Sequence, residues 1–94
     1  MTVDEIRTTV LRIVKDASEQ EITPEVLRQT NGSLQTAGMS SLAFLVMVEL
    51  LEVHLGVIID PETDPESLFT IDGIVAFVTA QLTVDDVGEE AAHA

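Results

Sequence analysis

The sequence predicts an all-α fold, a small four-helix bundle made of three main helices and one short helix. Apolar residues recur at helical spacing in three separate segments, and no segment shows the strict alternation of a half-buried strand. The apolar share of 46% over 94 residues is enough for one hydrophobic core. The long connection after the first helix permits a crossover, so the helices need not alternate strictly up and down.

The first helix is expected over residues 3–17. Thr2 and Glu5 have the spacing of a capping box, in which each side chain accepts a hydrogen bond from the backbone of the other. An amphipathic pattern of apolar residues follows. Its members are Val3, Ile6, Val10, Ile13, Val14 and Ala17.

Residues 18–40 form a long connection that contains a short helical turn. The pair Thr23-Pro24 is typical of an N-cap followed by proline at the first helical position. Ile22 and Leu27 have the spacing of a hydrophobic staple, and Gly32 follows the turn. Apolar residues of this connection are expected to hold it across the ends of the main helices.

The second main helix is expected over residues 41–55, with Gly56 as its stop. Its apolar residues are more numerous than one buried face requires. The positions that share one broad face, and that we expect in the core, are Phe44, Met47, Val48, Leu51 and Leu55.

A second connection, residues 57–70, is expected to contain one short helical turn capped by Asp64. Thr70 then caps the last helix. From Thr83 the chain becomes acidic, so residues 83–94 are expected to be a disordered tail on a domain formed by residues 1–82. The apolar positions of the last helix are Ile71, Ile74, Val75, Val78 and Leu82.

The net charge is the strongest feature of the composition. Seventeen acidic residues against four basic ones give a formal charge of −13, which disfavours nucleic acid and anionic membrane surfaces as partners. The charge directs the chain towards proteins with basic patches, or it serves only to keep a small domain in solution. The acidic N-terminus is unlike a secretory signal, and the longest apolar run, Leu42 to Val48, is too short to span a membrane. These features indicate a cytoplasmic protein, with a monomer as the default.

One face of the second main helix is apolar where solvent is expected. Leu42, Val46, Glu49 and Val53 fall together, opposite the core positions, and Glu52 lies beside them. The long connection or the acidic tail would cover this face in one interpretation. In the other it is a docking stripe, whose apolar residues supply affinity while the two glutamates orient basic residues of a partner.

Two serines stand where this helix begins. Ser40 fits the N-cap position and Ser41 the first helical position. Capping alone explains Ser40 and leaves Ser41 without a role.

The order of these features resembles the acyl and peptidyl carrier proteins. The resemblance covers about Val3 to Leu82 and depends on the segment Gly38-Met39-Ser40-Ser41-Leu42, on the Gly56 to Asp60 exit and on Thr70-Ile71. It implies a carrier domain, without catalytic activity, that holds acyl or aminoacyl groups as thioesters on a 4′-phosphopantetheine arm at Ser41. The implied partners are a phosphopantetheinyl transferase and loading ligases, acyltransferases or synthases with basic and apolar docking patches. By position in the family, Phe69, Ile58 and Ile71 would contact the arm.

The sequence departs from this family in two ways. Carriers usually have Asp immediately before the modified serine, where this chain has Ser40. Ala43, Val46 and Val53 stand where fatty-acid carriers tend to be polar or acidic, which favours polyketide or nonribosomal peptide biosynthesis over fatty-acid synthesis. The substitution at Ser40 also leaves open a carrier-like interaction module that is never modified.

A hydrolase or transferase with Ser41 as its nucleophile is a third interpretation. It needs a general base, and His54 stands several helical turns away. No metal site is expected, because His54 and His93 have no second ligand at a useful spacing and cysteine is absent.

Overall fold

The computed structural model describes residues 2–60 and 66–93, with side chains described as far as residue 82. This part of the chain is a small helical bundle, as expected, and contains no strand. Its elements are α1 (Val3–Ala17), α2 (Pro24–Gln29), α3 (Ser41–Leu55), a 3₁₀ helix (Glu66–Leu68) and α4 (Ile71–His93). None of its helices combines the length and apolar character that crossing a bilayer requires.

The predicted bounds and cap of α1 are confirmed. The Glu5 backbone N–H donates to Thr2 Oγ1 at 3.2 Å, and the Thr2 N–H donates to Glu5 Oε1 at 3.2 Å. This reciprocal pair is the predicted capping box. It satisfies a backbone donor that the first turn of any helix leaves without an intrahelical acceptor.

The core lies where α1 packs against both α3 and α4. The predicted core residues of α3 are buried, apart from Phe44, which is half-buried. Further core residues come from the connections, because a bundle of three main helices leaves its ends open. The largest fully buried side chains are Ile6, Val10, Val14, Ile22, Leu34, Met47, Leu51, Leu68, Ile74 and Val78.

The first connection is held against the start of α4. Ser33 and Thr70 form an isolated antiparallel bridge. Beside it, the Leu34 N–H donates to the Phe69 carbonyl at 2.8 Å, and the Ile71 N–H donates to the Gly32 carbonyl at 3.0 Å. These bonds fix the segment that leads into α3, and therefore fix where α3 begins.

The end of α4 differs from the expected one. The last helix was expected to end near Leu82, whereas α4 extends to His93. The expected disorder of residues 83–94 stays a prediction. No proline interrupts residues 83–93, which contain the helix formers glutamate and alanine, so a helix started by the packed first turns can propagate. At the other end Thr70 is the expected cap, since its Oγ1 accepts the Gly73 N–H at 3.0 Å. Asp64, the expected cap of the short turn, lies outside the described residues.

Candidate functional site at the start of α3

Ser40 is the N-cap of α3, as expected. Its Oγ accepts the Ala43 N–H at 3.1 Å, and its carbonyl accepts the Phe44 N–H at 2.9 Å. Ser41 is the first helical residue and is exposed. Within the part of the chain whose side chains are described, the Ser41 hydroxyl forms no hydrogen bond. One serine therefore caps the helix, and the other presents its hydroxyl to solvent.

The approach to these serines is a tight turn. Gly38 has a φ of 91°, a region that side chains rarely adopt, and no atom lies within 4 Å of where its Cβ would be. The Met39 N–H donates to the Leu34 carbonyl at 3.0 Å and closes the turn. A second protein can therefore approach Ser41 without meeting a bulky side chain at Gly38.

An apolar groove of about 390 Å³ lies beside Ser41. The rings of Phe44 and Phe69 meet in it, with centroids 5.7 Å apart. None of its lining residues is acidic, basic or histidine. They are Leu34, Gln35, Met39, Ser40, Ser41, Phe44, Leu45 and Phe69.

The three positions that the family resemblance assigns to arm contacts differ in accessibility. Phe69 lines the groove beside Ser41, as just described. Ile58 is 80% exposed but is not among the residues that line the groove. Ile71 is only 4% exposed, so it belongs to the core, and it does not line the groove beside Ser41.

The expected docking stripe is open to solvent along most of its length. Leu42 and Val53 are 73% and 71% exposed, Val46 is 37% exposed, and Glu49 is exposed as well. The first connection therefore leaves this face uncovered.

Glu52 differs from the rest of the stripe. It is half-buried, and its Oε2 accepts the Ile59 N–H at 3.1 Å. One carboxylate oxygen of Glu52 is thus engaged in holding the segment that follows α3. The Gln81 side chain bonds both the N–H and the carbonyl of Ile58, which fixes the same segment from α4.

Leu45 and Ile58 are exposed apolar residues outside the expected docking stripe. Leu45 is 58% exposed and lies one turn after Ser41, and Ile58 is exposed beyond the end of α3. The helical spacing of Leu45 from Ser41 was a signal that could have identified it, because residues four apart share a face. Nothing in the local sequence distinguishes the exposed Ile58 from the buried Ile59.

The start of α3 has features that favour a bound anion. The first turn of a helix has backbone N–H groups without intrahelical acceptors and carries the positive end of the helix dipole, both of which favour a bound phosphate. A nucleophilic enzyme would need a base near Ser41. His54 is in the last turn of α3, about 20 Å further along the helix axis.

Comparison of the chain with protein-family models, with curated proteins and with solved structures gave no match. What the site can do is therefore inferred from its residues and their geometry.

Proposed function

We propose that the chain is a discrete carrier protein that has the fold of the acyl and peptidyl carriers. In this proposal, Ser41 is the attachment point of a 4′-phosphopantetheine arm. The observation that supports this proposal most is that the two serines have different roles. Ser40 alone provides the cap, while the Ser41 hydroxyl is exposed and makes no hydrogen bond in the described part of the chain. A serine that caps a helix accepts a hydrogen bond from the helix backbone, as Ser40 does and Ser41 does not.

The residues around Ser41 fit a 4′-phosphopantetheine arm. The N–H groups of the first turn of α3 suit its phosphodiester, and the groove formed with Phe44, Leu45 and Phe69 offers apolar surface next to it. When bound, the arm supplies a thiol that carries an acyl or aminoacyl group as a thioester. This chain has no cysteine to do so itself.

The attachment is a phosphoryl transfer from coenzyme A. Ser41 Oγ bonds to the phosphorus that bears the pantetheine. The bond from that phosphorus to the bridging oxygen of the diphosphate breaks, and adenosine 3′,5′-bisphosphate leaves with that oxygen. A base of the transferase takes the hydroxyl proton, because the groove beside Ser41 contains no such group.

The partners in this proposal are a phosphopantetheinyl transferase and the enzymes that load, extend or release the tethered group. The stripe of Leu42, Val46, Glu49 and Val53 meets them. Its apolar character favours dedicated partners in polyketide or nonribosomal peptide biosynthesis. We place the protein in the cytoplasm as a monomer without catalytic activity, steered by its net charge of −13 to basic partner surfaces.

Intact mass spectrometry tests the attachment. Wild-type protein incubated with coenzyme A and a broad-specificity transferase should gain the mass of one arm, and Ser41→Ala should gain nothing. Ser40→Asp is the matched control, because it changes the neighbouring serine and keeps both Ser41 and a capping side chain. Absence of any gain in the wild type, also in material purified from its own host, would overturn the proposal, as would a gain in Ser41→Ala.

The exposed stripe also supports a second candidate, an interaction module that is never modified. It uses the same residues, including Leu42 and Val53, but needs no arm. This candidate predicts unmodified protein in the host and equal partner affinity for wild type and Ser41→Ala. The carrier proposal predicts that the protein is modified in its host. It also predicts that partners bind the modified wild type and Ser41→Ala with different affinities.

A further inference from the structure

A groove of about 450 Å³ lies on another part of the bundle, between α1, α2 and the start of α4. It shares no lining residue with the groove beside Ser41, and none of the docking stripe lines it. Its apolar surface includes the half-buried Leu11 of α1 and the exposed Pro24 of α2. We call it the arginine groove, because Arg7 and Arg28 both line it.

The charge of the arginine groove is opposite to that of the chain. The chain has seventeen acidic residues and only four basic ones, yet two of those four line this one groove. Asp72 is the only acidic residue among the described residues of the lining, so the lining carries a formal charge of +1. A carboxylate is attracted at short range. A polyanion such as nucleic acid is still repelled by the net charge of −13.

The chain's own Asp72 shows which group the arginines bind. Arg7 Nη2 donates to Asp72 Oδ1 at 2.8 Å, and the Asp72 side chain is 82% exposed. An ion pair as exposed as this one contributes little to stability, so a carboxylate from another molecule can replace Asp72 at low cost. The guanidinium group also has five N–H donors in a planar arrangement that suits a carboxylate.

Arg28 has no carboxylate of its own. It is exposed in the last turn of α2, and within the part of the chain whose side chains are described it forms no ion pair or hydrogen bond. The same holds for the side chain of the exposed Asn31, which lines the groove three residues later. Together they provide N–H donors for a carboxylate that this part of the chain does not supply.

We propose that the arginine groove docks a surface segment of a partner protein that presents a carboxylate next to an apolar side chain. Arg28 and Asn31 bind the carboxylate, and Arg7 adds a second positive charge. Leu11 and Pro24 contact the apolar side chain. Charge complementarity selects this occupant, since a basic segment would meet two arginines.

A chain held through this groove keeps the docking stripe and Ser41 free for other proteins. The partner in the groove is therefore a different one, of opposite charge to those expected at α3. That the other proteins act on a carried group rests on the proposed function, whereas docking in the arginine groove does not.

A binding measurement on the Ser41→Ala protein tests the proposal without any modification step. The probe is a rhodamine-labelled helical peptide with two glutamates and two leucines alternating one turn apart, and fluorescence anisotropy gives its dissociation constant. We expect Arg28→Gln to weaken binding about tenfold. Arg12→Gln makes the same change in net charge at an exposed position of α1 outside the groove, and should weaken binding less than about twofold.

Asp72→Asn should have the opposite effect. It removes the carboxylate that occupies Arg7, so the peptide should bind at least about threefold more tightly. Asp16→Asn is the matched control, since Asp16 is exposed on α1 and does not line the groove, and it should change the affinity less than about twofold. A gain in affinity cannot result from impaired folding, so this pair remains informative if Arg28→Gln is unstable.

Amide chemical shifts locate the peptide. The changes should be largest from Arg7 to Leu11 and from Arg28 to Gly32. Hexanoate, a free acid with one carboxylate and one apolar chain, should bind at least about tenfold more weakly than the peptide, which presents two of each.

Several results would overturn the inference. These are no binding, equal weakening by Arg28→Gln and Arg12→Gln, no gain with Asp72→Asn, shifts concentrated on the docking stripe, or equal affinity for hexanoate. Self-association of the wild type that Arg28→Gln abolishes would assign the groove to a second copy of this chain instead. The mass assay reports separately on Ser41, so peptide binding to a chain that is never modified would reject the carrier function and retain the docking site.

Discussion

The rings of Phe44 and Phe69 lie with their centroids 5.7 Å apart and their planes inclined at 55°. This tilted arrangement is one of the favourable geometries for aromatic pairs. It joins the first turn of α3 to the residues just before α4, which the bond from the Leu34 N–H to the Phe69 carbonyl also holds. The pair therefore stabilises the bundle and at the same time lines the groove beside Ser41.

Phe69→Ala should lower the free energy of unfolding by about 2 kcal/mol, less than for a fully buried phenylalanine because the ring is half-buried. Urea denaturation followed by far-ultraviolet circular dichroism measures this. Leu45→Ala is the control, since Leu45 lines the same groove but is largely exposed, and should cost under about 0.5 kcal/mol. Equal losses for the two variants would contradict a stabilising role of the ring pair.

Gly73→Ala should be more destabilising than its small change in volume suggests. A Cβ at Gly73 would collide with the Ser67 carbonyl oxygen and lie 2.9 Å from Thr70 Oγ1. The 3₁₀ helix can therefore pack against α4 only because residue 73 has no side chain. We expect the collision to lower the free energy of unfolding by about 1–3 kcal/mol. Thermal denaturation provides the measurement.

The matched control for Gly73 is Gly56→Ala. Gly56 has a φ of 67° but open space around its Cβ position, so alanine there should cost only about 1 kcal/mol of backbone strain. A smaller loss for Gly73→Ala than for Gly56→Ala would show that the 3₁₀ helix shifts without cost.

The difference between these glycines shows what the sequence could and could not predict. Gly56 directly follows an apolar helix, and it was predicted as the helix stop from that local pattern alone. The cap at Thr2 and Glu5 was predictable for the same reason, because both partners lie within one turn. Gly73 stands in the last helix with no such local signal, because its close approach to Ser67 depends on how two elements pack.

The candidate site divides in the same way. The capping role of Ser40 follows from its position in one helix, and the sequence predicted it. The exposure of Leu42 and Val53 was one of two interpretations of that face. The groove with Phe69 is formed by segments far apart in the chain, so helical periodicity could not reveal it. The extension of α4 beyond Leu82 was not predicted, because an acidic composition favours solvent exposure without fixing the backbone conformation.

Glu52→Ala and Glu49→Ala make the same chemical change three residues apart in α3. Glu52 accepts the Ile59 N–H at 3.1 Å, whereas Glu49 is exposed. We expect Glu52→Ala to lower the free energy of unfolding by about 1 kcal/mol, and Glu49→Ala to change it by less than about 0.5 kcal/mol. Chemical denaturation compares them. Similar values would mean that the bond to Ile59 contributes nothing to stability.

The capping box of α1 should depend on pH. Hydrogen bonds from the Thr2 backbone N–H and then from the Thr2 hydroxyl lower the pKa of Glu5 from its ordinary value of 4.5. Because the folded pKa is depressed, the stabilisation is complete above 4.5 and is lost as the pH falls through the folded pKa. Thr2→Ala removes the hydroxyl but keeps the backbone N–H, so a side-chain carboxyl NMR titration should show the Glu5 pKa rising part of the way towards 4.5. An unchanged Glu5 pKa in that variant would contradict this role of Thr2.

Two substitutions of Ser40 separate its structural role from its effect on modification. Ser40→Ala removes the acceptor for the Ala43 N–H and should cost about 1 kcal/mol. Ser40→Asp keeps an acceptor and places a carboxylate at the positive end of α3, so its stability should equal or exceed that of the wild type. Chemical denaturation of both variants provides the comparison.

The same Ser40→Asp variant should be modified faster, because a carboxylate next to Ser41 attracts the basic surface of a transferase. We expect the initial rate of mass gain to rise at least about threefold at low ionic strength, with the advantage shrinking as salt screens the charge. Gln29→Glu controls for net charge, since it adds one carboxylate at an exposed position of α2 and should leave the rate unchanged. If both variants raised the rate equally, the charge beside Ser41 would have no special role. If neither did, a carboxylate beside Ser41 would have no effect on the rate, which would contradict this prediction.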